Sequence, residues 1–297
     1  MKLSIVIPNY NGRELLAKNL PAVLAACSGS EIIAVDDAST DGSVTFLQKN
    51  FPTVRIVRHQ KNQRFAASCN DGVKVARGKI VVLLNNDVVP EKDFLKPLLA
   101  VFTPDVFAVG CREKRQENGR WVNSGRGLMK FKRGLVVHWR AADQNQKTTG
   151  WVVGAAGAFD RQKWQQLGGM DTLFRPAYEE DRDLCYRAAK HGWQILFAPK
   201  SVVNHQHEST NLKAFGRSKM AIMSYKNQFL FVWKNITDAG YLLKHFFWLP
   251  YHLLVTNWRS RGLLGVGFLF ALGELPEALK SRKQVQKLFV KQDGQLI

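Results

Sequence analysis

The first 84 residues alternate short apolar runs with segments of helical period, and this alternation admits few folds. Leu3 to Ile7, Glu31 to Val35, Val54 to Val57 and Lys79 to Leu84 read as strands. Arg13 to Ala26 sets Leu15, Leu16, Leu20, Val23 and Leu24 on one helical face, and Ser43 to Lys49 and Ala66 to Ala76 read as two further helices. Strands that are apolar at nearly every position are buried on both faces. The pattern therefore predicts an α/β fold with a mostly parallel central sheet flanked by helices.

The polar residues fall where such a sheet presents its ligands. Asn9-Tyr10-Asn11-Gly12 follows the first strand, Asp36-Asp37-Ala38-Ser39-Thr40-Asp41-Gly42 the second, and Asn85-Asn86-Asp87 the fourth. Open α/β sheets bind ligands in the crevice outside the carboxyl ends of their strands, so the three clusters are expected to converge. No GxGxxG follows the first strand, and no GxxxxGK[ST], GxSxG or HExxH occurs. Dinucleotide-dependent dehydrogenases, P-loop enzymes, serine hydrolases and zinc proteases thus lose their signatures.

Charge narrows the partners. Lys and Arg number 43 against 24 acidic residues, a net charge of +19 in 297 residues. Such a surface favours nucleic acid, phosphorylated ligands or an anionic membrane face. The four cysteines are widely spaced and form no CxxC pair, which suits a reducing cytosol rather than a zinc site or disulfide framework. The start, MKLSIVIPNYNG, enters a strand pattern at once and does not read as a signal peptide. No stretch reaches the roughly 18 uncharged apolar residues of a membrane span.

Three sets of residues carry candidate chemistry. Asp87 ends an apolar strand and His205 follows an extended segment. A carboxylate and an imidazole, with substrate phosphates, suit Mg2+ or Mn2+; as structural residues they would be a turn residue and a hydrogen-bonder. Asp36 and Asp37 suit the donors of a nucleobase or ribose, or alternatively start a turn before a capped helix. Glu179-Glu180-Asp181-Arg182-Asp183 sets four carboxylates at a helix start, either as a general base or as acids favoured by the helix dipole.

Beyond Cys111 the pattern loosens into irregular strands and loops up to about Gln146. Gly150 to Phe159 is a small-residue apolar run, Arg161 to Leu167 and Glu180 to His191 read as helices, and Gln194 to Ala198 as a strand ending at Pro199. From about Asn211 the chain reads as basic, aromatic and helical. There Phe246 to Val255 and Gly262 to Leu275 form apolar stretches flanked by Lys244, Arg259, Arg261, Lys280, Arg282 and Lys283. Such helices suit either the membrane interface or packing on the core or a second protomer.

The segments SIVIPNYNG, VDDASTDGS, ARGKIVVLLNNDVVPEKDFL, GGMDTLFRPAYEEDRDLCYR and PKSVVNH, in that order over about Lys2 to His207, resemble the inverting family 2 glycosyltransferases of GT-A fold, with rhamnosyltransferase-like members the most similar. The resemblance implies a nucleotide-sugar-binding half over 1–110 and an acceptor-binding half over 111–212; the composition beyond it leads us to expect a basic helical, membrane-associating region over 213–297. It implies that Pro8, Asn9 and Tyr10 line the nucleobase, with Asp36 and Asp37 near base and ribose and Arg64 and Asn86 at the donor. It implies that Asp87 and His205 hold the divalent cation, that Asp181 is the catalytic base and that Glu180 stands beside it. Two positions depart from the pattern: Asn85 replaces the first carboxylate of an Asp-x-Asp signature, and Arg64 stands where relatives usually have Gly. The expected activity is transfer of a sugar, hexosyl or rhamnosyl, to an acceptor glycan or lipid-linked glycan in cell-surface polysaccharide or glycolipid assembly. The expected setting is the cytoplasmic face of the cell membrane. Two alternatives are a non-catalytic nucleotide-sugar-binding protein, marked by Asn85, and a nucleic-acid-binding protein. The latter is disfavoured because no recognised motif accompanies the charge.

Overall fold

The computed structural model describes residues 2–117, 119–205 and 210–297; the end of the resemblance, Gln206 and His207, lies outside them. In chain order the elements are β1 (Leu3–Asn9), α1 (Arg13–Ala26), β2 (Glu31–Asp36), α2 (Ser43–Asn50), β3 (Arg55–Arg58), α3 (Arg64–Val75), β4 (Ile80–Leu84), β5 (Val88–Pro90) and α4 (Leu95–Leu99). Then come β6 (Val106–Glu117), β7 (Arg120–Ser124), β8 (Gly127–Lys132), β9 (Leu135–Arg140), β10 (Ala156–Asp160), α5 (Arg161–Gln166), α6 (Glu180–Lys190) and β11 (Gln194–His205). The rest is helical: α7 (Thr210–Asn235), α8 (Ala239–Tyr251), α9 (Asn257–Arg259), α10 (Leu263–Gly273) and α11 (Leu275–Val285). The chain forms two compact units. The first comprises Met1–Gly127, Arg140–Met170 and Gln194–Glu208; the second comprises Leu128–Trp139, Asp171–Trp193 and Ser209–Ile297.

The first unit is built on a nine-stranded sheet ordered β3-β2-β1-β4-β10-β6-β11-β5, with β7 paired to β6. Ile5, Val6, Ile33, Val35, Val82 and Leu84 are all buried, as runs covered on both faces must be. The expected parallel order holds for β3-β2-β1-β4. It fails beyond, because β10 runs antiparallel to both β4 and β6, and β5 runs antiparallel to β11. The sheet is therefore mixed. An apolar run records that a strand is buried but not which way it points, and Gly150 to Phe159 hid the reversal.

The stretch read as irregular after Cys111 is also ordered. β6 continues to Glu117, with Glu113–Glu117 laddered against β7. β11 runs on through Pro199 to His205; its register jumps between Ala198 and Val202, where proline has no N–H to give the ladder.

In the second unit β8 and β9 pair with each other, and the helices share an aromatic and aliphatic core that includes Tyr186, Phe229, Phe231, Ile236 and Leu264. α10 lies close against α7 at Gly267, where a Cβ would stand 2.7 Å from the Ile222 carbonyl oxygen; only glycine permits that approach. No helix among the described residues is long and apolar enough to cross a membrane.

Candidate nucleotide and cation site

In the first unit, the polar residues after β1, β2 and β4 join in one hydrogen-bonded chain. Asn86 Nδ2 donates to Asn9 Oδ1 at 2.8 Å, and Asn9 Nδ2 donates to Asp36 Oδ1 at 3.2 Å. Asp36 Oδ2 accepts the Ser39 amide at 3.0 Å, and Asn19 Nδ2 holds the Asn86 carbonyl at 2.8 Å. Gly12 makes room for this meeting, since a Cβ there would lie 2.1 Å from Asn86 Nδ2. Pro8 is half-buried and Tyr10 is exposed beside this chain.

Asp37 has a structural task. Its carboxylate accepts the amides of Gln63 and Arg64 at 2.7 and 2.8 Å, capping α3, and meets His59 Nδ1 at 2.8 Å. His59 Nε2 in turn meets Asp71 at 3.0 Å. Asp36 does start a turn, accepting the Ser39 amide, but the helix that Asp37 holds is α3 and not the α2 that follows it. Arg64 has φ of 75° at the start of α3. That left-handed conformation suits glycine, the residue that the resemblance leads one to expect at this place.

Asp87 and His205 stand together, and a third residue joins them. β11 lies between β5 and β6, so His205 is in register with Val88, one residue past Asp87, while Glu113 on β6 is in register with Val203. His205 Nε2 is 3.4 Å from Asp87 Oδ1 and its Nδ1 is 3.5 Å from Glu113 Oε2. All three are buried. Burial alone would lower the imidazole pKa, but Asp87 and Glu113 outweigh it and raise it to about 9. Asp87 Oδ1, Glu113 Oε1 and the neighbouring Asn85 Oδ1 are buried acceptors without a hydrogen-bond donor among the described residues. Buried acceptors of this kind are costly unless a cation or donor meets them.

These residues fit a divalent cation. Carboxylate and amide oxygens with one imidazole suit Mn2+ or Mg2+. No group of three or more His, Cys, Asp or Glu among the described residues is arranged to hold a metal ion by itself. Phosphate oxygens and water would have to complete the coordination, as is usual for Mg2+-type sites. Sequence reasoning missed Glu113, which looked like one charge among many in CREKRQENGR.

In the second unit the acidic run at the start of α6 separates into distinct roles. Glu179 has φ of 105° and receives a two-pronged hydrogen bond from Arg182 at 2.7 and 2.8 Å. The loop before it is held by Asn227 Nδ2, which donates to the carbonyls of Phe174 and Tyr178 at 2.9 and 2.7 Å. Asp183 is fully buried and meets Arg187, Lys234 and Asn235 at 2.8, 2.7 and 2.9 Å. Removing Lys234 from this network would cost about 3–5 kcal/mol, as for other broken buried pairs. Farther along α6, Lys190 and Tyr186 both bind Asp293, at 2.8 and 2.6 Å. Glu179 and Asp183 are thus held in ion pairs that shape the start of α6; Glu180 and Asp181 lie between them.

These two differ. Glu180 is buried, and burial together with the adjacent Asp181 charge raises its pKa to about 8. Asp181 is half-buried, its Oδ1 accepting the Arg182 amide at 2.8 Å. Burial and the neighbouring charge thus favour the protonated form of Glu180 near neutral pH. A carboxyl that holds its proton more tightly when folded contributes stability below its ordinary value of 4.5, and loses that contribution as pH rises through about 8. Glu180→Gln, which keeps the neutral form, is expected to match the wild-type melting temperature near pH 5. Near pH 9 it should exceed it, by on the order of a few kcal/mol in stability; thermal melts across that range check this.

The fold is shared with nucleotide-sugar transferases. The structure superposes on GalNAc-T7 with UDP, GalNAc and Mn2+ with a TM-score of 0.63 and 16% identity, over 78% of this chain and 47% of that one. It superposes on a mannosyltransferase of Pyrobaculum calidifontis in complex with GDP-Man and Mn2+ with a TM-score of 0.58 and 18% identity, over 97% of this chain and 81% of that one. This is a GT-A-like α/β fold. The chain belongs to the glycosyltransferase-like family 2, whose model matches residues 2–221. Among curated relatives, an uncharacterized glycosyltransferase of Nostoc sp. is 38% identical over 114 residues, 37% of this chain and 35% of the relative. The chain spans less than half the length of the curated relatives it matches.

Proposed function

We propose that the chain is an inverting, metal-dependent glycosyltransferase that moves a hexosyl or rhamnosyl group from a nucleoside-diphosphate sugar to an acceptor hydroxyl. The observation that carries this reading is the group of buried acceptor oxygens without hydrogen bonds among the described residues, beside His205 at the strand ends, in a chain of this family. Pro8, Asn9, Tyr10 and the hydrogen-bonded Asp36 receive the nucleoside, with exposed Tyr10 offering a ring for stacking. Asn86 and Arg64 border the donor, and Asp37 holds the start of α3 beneath them. Asp87 and His205 would hold the cation together with phosphate oxygens. A bound Mn2+ or Mg2+ supplies Lewis acidity that neutralises charge on the leaving diphosphate. Asp181 takes the proton from the acceptor hydroxyl as its oxygen attacks the anomeric carbon opposite the departing diphosphate, inverting the configuration. Glu180 stands beside it, its protonated form favoured by burial.

A panel of UDP-, GDP- and dTDP-sugars, incubated with the full chain, Mn2+ and glycan or lipid-linked acceptors, tests this directly. Nucleoside diphosphate release with an inverted anomeric proton coupling in the product supports it; release from no donor, or retention of configuration, refutes it.

The second unit supports an acceptor held at an anionic membrane, in the assembly of cell-surface polysaccharide or glycolipid. Leu243, Phe246, Phe247, Leu254, Trp258 and Leu269 are exposed, Phe247 by 75% and Trp258 by 80%. Lys244, Arg259 and Arg261 are exposed among them. Lone exposed apolar residues need no explanation, but so many in one helical stretch mark an interaction surface. Basic flanks favour anionic headgroups, at roughly 1 kcal/mol each. The chain is expected to co-sediment with phosphatidylglycerol vesicles but not with phosphatidylcholine ones. Phe246→Ser together with Phe247→Ser should release it. Equal recovery with both lipids would refute the membrane role.

A further inference from the structure

Glu113 belongs to none of the motifs that mark the site, yet it is buried on β6 and faces His205. A neutral imidazole binds a cation through one nitrogen while the other carries the proton, and the partner of that second nitrogen selects which is which. The two ring nitrogens of His205 look onto different carboxylates. Nε2 faces Asp87, and Nδ1 faces Glu113 Oε2 at 3.5 Å. Ser124 Oγ donates to the same Glu113 oxygen at 3.4 Å, tying the carboxylate to β7. The register of three strands enforces the arrangement: Glu113 pairs with Val203 on one side and Ser124 on the other, and His205 follows Val203 by two residues on the same face.

Metal-bound histidines commonly give their second N–H to a carboxylate, which fixes the ring and raises its basicity. An acid buried without such a duty would be an expensive way to fill space. We propose that Glu113 is a positioning residue: it accepts the Nδ1 proton of His205 and so holds the Nε2 lone pair toward the cation at Asp87. The inference rests on the reading of Asp87 and His205 as cation-holding residues. It adds that the site is built from three strands, with Glu113 acting only through the imidazole.

The test is binding of Mn2+ to the full chain in the presence of excess UDP, GDP or dTDP, followed by electron paramagnetic resonance of the protein-bound ion, for wild type, Glu113→Gln, Glu113→Ala, His205→Ala and Asp87→Ala. Loss of an outer carboxylate typically weakens metal affinity 10- to 100-fold. Glu113→Ala is expected to fall in that range. Glu113→Gln, which keeps an acceptor oxygen and nearly the same volume, should fall less, and it carries the test if the alanine variant does not fold. Nitrogen-15 shifts of the His205 ring in Mg2+-loaded protein should report the Nδ1–H tautomer in wild type and a mixture in Glu113→Ala. Wild-type affinity and an unchanged tautomer in both Glu113 variants, with affinity lost in His205→Ala and Asp87→Ala, would overturn the role of Glu113 alone. Affinity untouched by His205→Ala and Asp87→Ala, or absent from wild type, would instead overturn the cation site itself.

Discussion

Asp181→Asn is expected to lower kcat by about 10²- to 10⁴-fold, the usual contribution of a positioned general base, or roughly 3–5 kcal/mol of barrier. Donor affinity should hardly change, because the substitution is isosteric and the proposed mechanism has Asp181 act on the acceptor. Asp181 is singled out because it stands where the resemblance implies the base, and its acidic neighbours fit other roles. Glu179 is gripped by Arg182, Asp183 is locked among Arg187, Lys234 and Asn235, and burial raises the pKa of Glu180 to about 8. Glu180→Gln is therefore the control: it should retain most activity at pH 7. Steady-state rates with a saturating donor separate the cases. An Asp181→Asn enzyme within threefold of wild type would remove Asp181 from the chemistry.

Asp87→Ala should abolish cation-dependent nucleotide binding. A bound cation is worth several kcal/mol of charge stabilisation at a leaving diphosphate, so kcat/KM should fall by roughly 10³-fold at about 1.4 kcal/mol per decade. Unlike Asp181→Asn, the defect must appear in binding: calorimetric titration of nucleoside diphosphate should give the same weak affinity with Mn2+ as with chelator. The fold should survive, since Asp87 makes a long contact of 3.4 Å to His205, and His205 keeps Glu113 as a second carboxylate neighbour. An Asp87→Ala variant that still gains affinity on adding Mn2+ would show that the cation sits elsewhere.

How far the sequence discloses this arrangement depends on how local each signal is. β1, α1, β2 and β4 are legible because period and burial are written into contiguous residues, and the polar clusters after them point to the strand ends that Asn9, Asp36 and Asn86 in fact connect. Asp87 and His205 are separately visible as a strand-end acid and a histidine after an extended run. Their pairing is not, because it needs β11 to reach β5 across a register jump. Glu113 is illegible for the same reason: in CREKRQENGR it is one charge in a row, and only the ladder with β7 and β11 turns it inward. The direction of β10 leaves no local trace at all. In the acidic run before α6, the sequence shows four carboxylates but not their ion pairs, so it does not tell a structural acid such as Asp183 from Asp181.

Anomalous diffraction from crystals grown with Mn2+ and a nucleoside diphosphate examines the claim on which the rest stands. A manganese peak within coordination distance of Asp87 and His205, with the diphosphate oxygens completing its shell, is the predicted result. Manganese bound to the nucleotide at a place remote from both residues would contradict it.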